Sequence, residues 1–201
     1  MNILIAGGAG FIGLNLAEAI LRSGEHVVIY DPGAVPGAAQ RTFDGLPGSW
    51  CHIQESVIDS GALASTLTEQ RIEQVFYGAA VTSGPERERD TPENVLSVNL
   101  VGLATVAKLA AKAGIRRLIN LSSASAYGLP DGDESDWPPT LHEEHTRERP
   151  VSLYALSKFA TEITTRRIAA LTGLDALSVR LSSIFGPWER DTGFRDTLSA
   201  P

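Results

Sequence analysis

The N-terminal run Asn2-Ile3-Leu4-Ile5-Ala6-Gly7-Gly8-Ala9-Gly10-Phe11-Ile12-Gly13 limits the fold more than any other stretch of the chain. Ile3 to Ala6 read as a buried strand. Phe11, Ile12, Leu14, Leu16, Ala17, Ile20 and Leu21 then recur at helical spacing. The glycines between them fit two registers: Gly8, Gly10 and Gly13 as G-x-G-x-x-G, or Gly7, Gly10 and Gly13 at wider spacing. Either register supplies a sharp turn off the strand, a close backbone approach to a ligand, and tight packing of helix on sheet. The helix N-terminus presents unpaired N–H groups and the positive end of a dipole, so it suits a pyrophosphate. An isolated glycine loop carries little information. A strand before it and a helix after it make this one a dinucleotide site.

A second strand, His26 to Tyr30, ends in Asp31. That residue follows Gly13 at close to the roughly 20-residue offset of an acid that binds an adenosine ribose. A carboxylate there accepts from both ribose hydroxyls and repels a 2′-phosphate, so the cofactor is expected to be NAD rather than NADP. Arg41 is the first basic residue after that strand and the one that would oppose this preference. The net charge of −7 and the lack of a basic run argue against a nucleic-acid surface. Cys51 is the only cysteine, which excludes an intrachain disulfide and suits a reducing compartment. The chain starts directly on a core strand, and no apolar run reads as a membrane span. A cytoplasmic location is the expectation.

Strand and helix alternate along the 201 residues, the pattern of a parallel α/β sheet. The expected elements are a loop from Pro32 to Ser49 and a third strand near Cys51 to Gln54. A helix from Ser60 to Gln70, capped by Asp59 or Ser60, leads to a fourth strand from Gln74 to Ala80. A long helix from Thr91 to Ala113 closes at Gly114 and is followed by a fifth strand from Arg117 to Ser122. A helix from Val151 to Thr172 closes at Gly173 before a sixth strand from Ala176 to Leu181. The fold class is a doubly wound parallel sheet of the Rossmann type, order 3-2-1-4-5-6.

Tyr154 and Lys158 stand one helical turn apart, on one face. A tyrosine ordinarily has a pKa near 10 and is too weakly acidic to supply a phenolate base at neutral pH. A nearby ammonium and a positive nicotinamide ring favour its phenolate, which makes a usable base for taking a proton from a hydroxyl. Tyr-x-x-x-Lys recurs by chance, so the neighbours matter. Leu121-Ser122-Ser123-Ala124-Ser125-Ala126-Tyr127-Gly128 closes the fifth strand, and ligands bind at strand C-termini in such sheets.

With these residues in place the chain resembles the extended short-chain dehydrogenase/reductase family, in its NAD-dependent epimerase/dehydratase group. The resemblance spans essentially the whole chain. It rests on Gly7-x-x-Gly10-x-x-Gly13, Asp31, Ala79-Ala80, Asn99, the Ser-Ser-x-Ser-x-Tyr-Gly run at 122 to 128, Tyr154-x-x-x-Lys158, and Arg180 with Phe185-Gly186-Pro187. It implies that Tyr154 is the catalytic acid/base, that Lys158 holds the nicotinamide ribose and lowers the tyrosine pKa, and that Ser123 is the catalytic serine. It places the cofactor along Gly7, Gly10, Phe11, Ile12 and Gly13, then Asp31, Ser56 and Val57. The path continues by Gly78, Ala79, Ala80 and Thr82, then Asn99 and Leu121, to Tyr154 and Lys158. Ser125 and Ser183 are the implied substrate contacts.

Three departures narrow the function. Ser56-Val57 stand where the family often has Asp and a branched residue, leaving adenine to the backbone. Ser183 stands where the family often has an Asn that contacts a nucleotide-sugar diphosphate. Ala124-Ser125 replace the Asp-Glu pair of the 4,6-dehydratases, which argues against that dehydration. Enzymes of this group usually run past 300 residues. Residues 1–182 are therefore expected to form the NAD-binding domain and 183–201 the start of a truncated C-terminal substrate region. Such a chain would bind NAD, turn over substrate poorly and expose apolar surface.

The function so implied is an NAD-dependent oxidoreductase or epimerase acting on a secondary alcohol of a sugar-type substrate, a nucleotide sugar or sugar acid. The rivals are a plain dehydrogenase that releases NADH and a dinucleotide-sensing protein that does no chemistry. The expected partners are a small-molecule substrate and a second copy of the chain in a homodimer, with no nucleic acid and no membrane. His142-Glu143-Glu144-His145 lacks the H-E-x-x-H spacing, and no metal is expected. Glu86 to Asp90 reads as a solvated run. Trp137, Trp188 and Phe194 suit the cover of a core edge better than a substrate stack. Arg147, Arg149, Arg190 and Arg195 flank the substrate side and could grip an anion.

Overall fold

The computed structural model describes residues 1–82, 84–128, 140–143 and 149–189. Its centre is a six-stranded parallel sheet in the order β3-β2-β1-β4-β5-β6, the order expected. The strands are β1 (Asn2–Ala6), β2 (His26–Tyr30), β3 (Ser49–Ile53), β4 (Gln74–Tyr77), β5 (Arg117–Ser123) and β6 (Ala176–Leu181). The helices are α1 (Phe11–Arg22), α2 (Gly37–Phe43), α3 (Ser60–Glu69), α4 (Pro85–Asp90), α5 (Pro92–Leu96), α6 (Leu103–Ala113) and α7 (Leu153–Thr172). Parallel strands need both faces covered, so the central strands are apolar at nearly every position. Ile3, Ile5, Val27 and Ile29 meet Leu14, Leu21 and Phe43 on one face. Leu4, Val28, Val75 and Leu118 meet Leu63, Val106 and Ala110 on the other. On edge strand β6, Leu177 and Val179 stay 39% and 38% exposed.

Helix ends follow their local chemistry. Asp59 caps α3, its carboxylate accepting from Gly61 N and Ala62 N at 2.9 and 3.0 Å. Ser152 caps α7 through Ala155 N at 3.0 Å. Gly114 and Gly173 close α6 and α7 at φ 70° and 74°, the left-handed region where a Cβ costs energy.

Four expectations need correction. The stretch from Pro32 to Ser49 is not all loop: α2 buries Ala39 and Phe43 against α1. β4 stops at Tyr77 rather than Ala80, because the Gly78–Ala79 backbone turns to meet the glycine turn. The helix expected from Thr91 to Ala113 is interrupted by a π-helical turn at Ser97–Gly102. Tyr77 causes that interruption. Its hydroxyl donates to Val98 O at 2.5 Å, and a Cβ on Gly102 would lie 2.5 Å from the same oxygen. A side chain wedged into a helix's hydrogen-bond ladder widens the turn. Finally, Pro92–Ala113 is long and apolar enough to cross a membrane, contrary to the sequence expectation. Here Leu103, Val106, Ala107 and Ala110 bury into the sheet core, which accounts for that composition.

Asp59→Ala removes the carboxylate that satisfies two first-turn N–H groups of α3. It should cost about 1 kcal/mol. The check is a urea titration, with a lower midpoint and an unchanged slope expected.

Candidate active site

The site is built at the C-terminal ends of β1 and β4, where the strand order reverses direction. The structure resolves the glycine register. Gly7 has φ 78°, and a Cβ on it would sit 2.6 Å from Ala79 N. A Cβ on Gly13 would sit 2.4 Å from Gly7 O, so α1 can approach the turn only without one. Gly10 would meet only Gly7 O at 3.3 Å and faces open space. The turn, the cradle and the helix contact thus belong to Gly7, Gly10 and Gly13. Gly8 is tight for another reason, since its Cβ would strike Ile5 O and Ile29 beneath the turn.

Two clefts open on either side of this turn and share Gly7, Gly10, Gly78 and Ala80. The smaller, about 250 Å³, is walled by Asp31, Ser56, Val57 and Ala79. The Asp31 carboxylate accepts from Ala9 N at 3.1 Å and Gly33 N at 2.7 Å, tying the glycine turn to the end of β2. The larger, about 490 Å³, runs from Phe11, Ile12 and Gly13 past Thr82 and Leu121 to Ser123, Tyr154 and Lys158. The first turn of α1 lies between them. Its N-cap is Gly10, with no side-chain cap and no acidic residue in the first turn. Its N–H groups and dipole are left for a ligand anion. The clefts, the uncapped helix and the cradle at Gly10 fit an extended dinucleotide diphosphate.

Lys158 is 4% exposed, and its ammonium donates to Leu121 O at 2.8 Å. Burial pushes its pKa down to about 8. Its Nζ lies 5.7 Å from the centre of the Tyr154 ring. Burial raises the Tyr154 pKa, and a hydrogen bond from the Ser123 hydroxyl pulls against that rise. In the protein alone, burial is the larger of these two effects.

Three expected site residues lie off the cleft walls. Asn99, 1% exposed, accepts from Val81 N at 2.7 Å and donates to Val81 O and Ser157 Oγ. It shapes the loop after β4 from behind the wall. Ser125 bonds the Ser123 hydroxyl instead of lining the cleft. Ser183 is exposed beside the cleft, while its neighbours Ser182 and Ile184 line it. Sequence reading missed Val98 in the smaller cleft and Glu189 in the larger. Neither carries a motif, and each is brought in by its element's path. Trp188 covers a core edge, meeting Phe43 edge-to-face and donating to Glu18 Oε2 at 2.8 Å. Arg41 lies on α2 with its guanidinium beside Gly37. His142 and Glu143 are exposed, and among the described residues no three metal-ligating side chains converge. Trp137, Glu144, His145, Arg147, Arg190, Phe194 and Arg195 lie outside the described residues.

Comparison with known proteins gives three findings. Residues 3–200 match the model of the NAD dependent epimerase/dehydratase family. A UDP-glucose 4-epimerase from Mycolicibacterium smegmatis is 30% identical over 188 residues, covering 93% of this chain and 57% of that protein. Two solved structures superpose closely. One is the UDP-glucose 4-epimerase of Thermotoga maritima with UDP-glucose, at TM-score 0.82 and 26% identity over 96% of this chain and 59% of that one. The other is MoeE5 in complex with UDP-glucuronic acid and NAD, at TM-score 0.81 and 27% identity over 98% and 60%. The chain thus spans somewhat over half the length of the relatives it matches.

Lys158 gives the site a pH signature in stability. Between about pH 8 and 10.5 the unfolded chain holds a proton that folded Lys158 has released. Stability rises with pH wherever the unfolded state binds more protons. The wild type should therefore gain on Lys158→Met across that window, by up to ~3 kcal/mol. Paired urea titrations at its two ends test this. A constant difference would mean that the ammonium is not desolvated.

Proposed function

The chain belongs to the NAD dependent epimerase/dehydratase family, and from that premise we propose that it is an NAD-dependent epimerase-type oxidoreductase of UDP-sugars. The observation that carries the reading is the meeting of Ser123, Tyr154 and Lys158 in the larger cleft, next to the uncapped N-terminus of α1. A protein that only sensed a dinucleotide would have no use for a hydrogen-bonded serine and phenol at the end of the cleft. The UDP-sugar class is supported by the relatives, among them a UDP-glucose 4-epimerase and a protein crystallised with UDP-glucuronic acid.

Each residue has a role that follows from its place. Asp31 at the end of β2 would hold the adenosine ribose, with Ser56 and Val57 lining the same cleft. The first-turn N–H groups of α1 would hold the diphosphate. Lys158, held in aim by Leu121 O, would bond the second ribose. Tyr154 exchanges a proton with the sugar hydroxyl, while Ser123 steadies the same oxygen. Bound NAD supplies the hydride acceptor and a positive ring that favours the phenolate. In an epimerisation Tyr154 takes the proton in oxidation and returns it in reduction, so one residue serves both halves.

The direct test incubates the full-length protein with NAD and either UDP-glucose or UDP-glucuronic acid. The C4 epimer is expected by chromatography, without net NADH. Net NADH with no epimer would make the protein a plain dehydrogenase. No change in either sugar, with NAD bound, would remove the UDP-sugar reading. Tyr154→Phe should lower turnover by about 10²- to 10⁴-fold while leaving NAD affinity nearly intact. Near-normal turnover in that variant would mean that another group carries the proton.

Asp31 should make calorimetric binding of NADH tighter than that of NADPH, since its carboxylate repels a 2′-phosphate. Asp31→Ala should narrow that preference. It should also weaken both, because the Ala9 amide loses its acceptor. Equal binding by the wild type would sink the assignment.

A further inference from the structure

Behind Ser123 lies a buried charged cluster that the chemistry above does not use. Glu162 follows Lys158 by one turn on α7, and Arg180 sits on β6 directly beside Ser122 of β5 in the ladder. Arg180 donates to both Glu162 oxygens, Nε to Oε1 at 2.9 Å and Nη2 to Oε2 at 2.7 Å. Their side chains are only 8% and 9% exposed. Ser122 Oγ donates to Glu162 Oε1 at 2.5 Å. The Arg180 guanidinium also lies over the Tyr127 ring, 4.1 Å from its centre.

These contacts bracket Ser123 in sequence. Ser122 precedes it, and Tyr127 ends the 3₁₀ turn Ala124–Tyr127 that Ser123 caps. Glu162 lies on the helix that carries Tyr154 and Lys158. A single guanidinium therefore joins the strand end that aims the serine to the helix that aims the phenol. A buried ion pair is a poor way to gain stability, since apolar side chains of like volume often do as well or better. A forked, bidentate pair does fix direction, which apolar packing does not.

We propose that Arg180 and Glu162 are positioning residues that set the approach of Ser123 to Tyr154. The inference rests on the roles given to that pair in the proposed function. Arg180 holds Ser122 through Glu162 and Tyr127 through its ring face, so the strand end cannot slide along α7. The hydrogen bond from Ser123 to Tyr154 then forms without reorganisation.

The experiment reads Tyr154 itself. The ultraviolet phenolate signal is titrated in the protein and in its Tyr154→Phe form, and the difference isolates Tyr154. Tyr30 is pushed up to about 12 by burial, and Tyr77 higher still. Among the described residues, the charged groups near Tyr154 are Lys158 on its own helix, Glu88 of α4, which accepts from Leu153 N, and Glu189 across the cleft. All three are kept in every variant. Removing one partner alone strands a buried charge, so the test uses the double variant Arg180→Met/Glu162→Met. Arg180→Lys accompanies it, keeping the charge and losing the fork. Both should keep a native far-ultraviolet spectrum and bind NAD within about twofold. In both, Tyr154 should ionise higher by roughly half to one pH unit, the equivalent of one lost hydrogen bond. If the double variant does not fold, Arg180→Lys decides by the same reading. An unchanged Tyr154 titration in a folded, NAD-binding variant overturns the proposal. The titration needs no sugar, so a wild type that leaves UDP-sugars unchanged bears on the functional reading alone.

Discussion

The site depends on one close approach, the backbone of Gly7 against that of Gly78 and Ala79. A Cβ at Gly7 would lie 2.6 to 2.7 Å from three of their atoms, all backbone. No side chain can move aside to relieve such a clash. The contact sits between β1 and β4, where the order of the sheet reverses and the connections leave in opposite directions. It turns the chain out of β4 at Tyr77 and leaves Gly78 and Ala80 in both clefts. It also carries Gly7 O to where α1 packs on it through Gly13. The uncapped first turn of that helix is the consequence with chemical use.

Much of this was legible because it is local. The strands β2 and β6 were readable to the residue, β2 as a mostly apolar run and β6 as an alternating one, each bounded by turn residues. Gly114 and Gly173 marked their helix ends because only a left-handed residue closes those turns. Features that arise between elements were not legible. The π-helical turn at Ser97–Gly102 comes from the Tyr77 hydroxyl on another element, and nothing in the helix's own periodicity announces it. Asn99 reads as a cofactor contact by its place in a motif. Its amide is in fact consumed by Val81 and Ser157. The two glycine registers likewise separate only when the neighbours of each missing Cβ are known.

Lys158 shows how the fold is strained for the sake of the site. An ammonium at 4% exposure has lost most of its hydration and, among the described residues, donates to Leu121 O. Burial alone lowers its pKa to about 8, so the folded protein bears a cost for every proton it keeps there below that pH. A methionine would pack in the same space without that charge. Desolvated charges with perturbed pKa values in a cleft are a common signature of a working site.

The same burial acts on Tyr154 with the opposite sign for chemistry. Desolvation raises the phenol's pKa, so the protein alone keeps it a proton donor. Ser123 offers a hydrogen bond that favours the phenolate, yet neither it nor the Lys158 ammonium, 5.7 Å from the ring centre, offsets the burial. If Tyr154 is the base of the proposed function, a phenol kept protonated by its dry pocket would give up its proton readily only with the positive nicotinamide ring beside it. Proton removal would then be coupled to occupancy of the dinucleotide cleft. That coupling would need no moving part: it would follow from placing the phenol in a dry pocket and leaving a cationic partner to be supplied by binding.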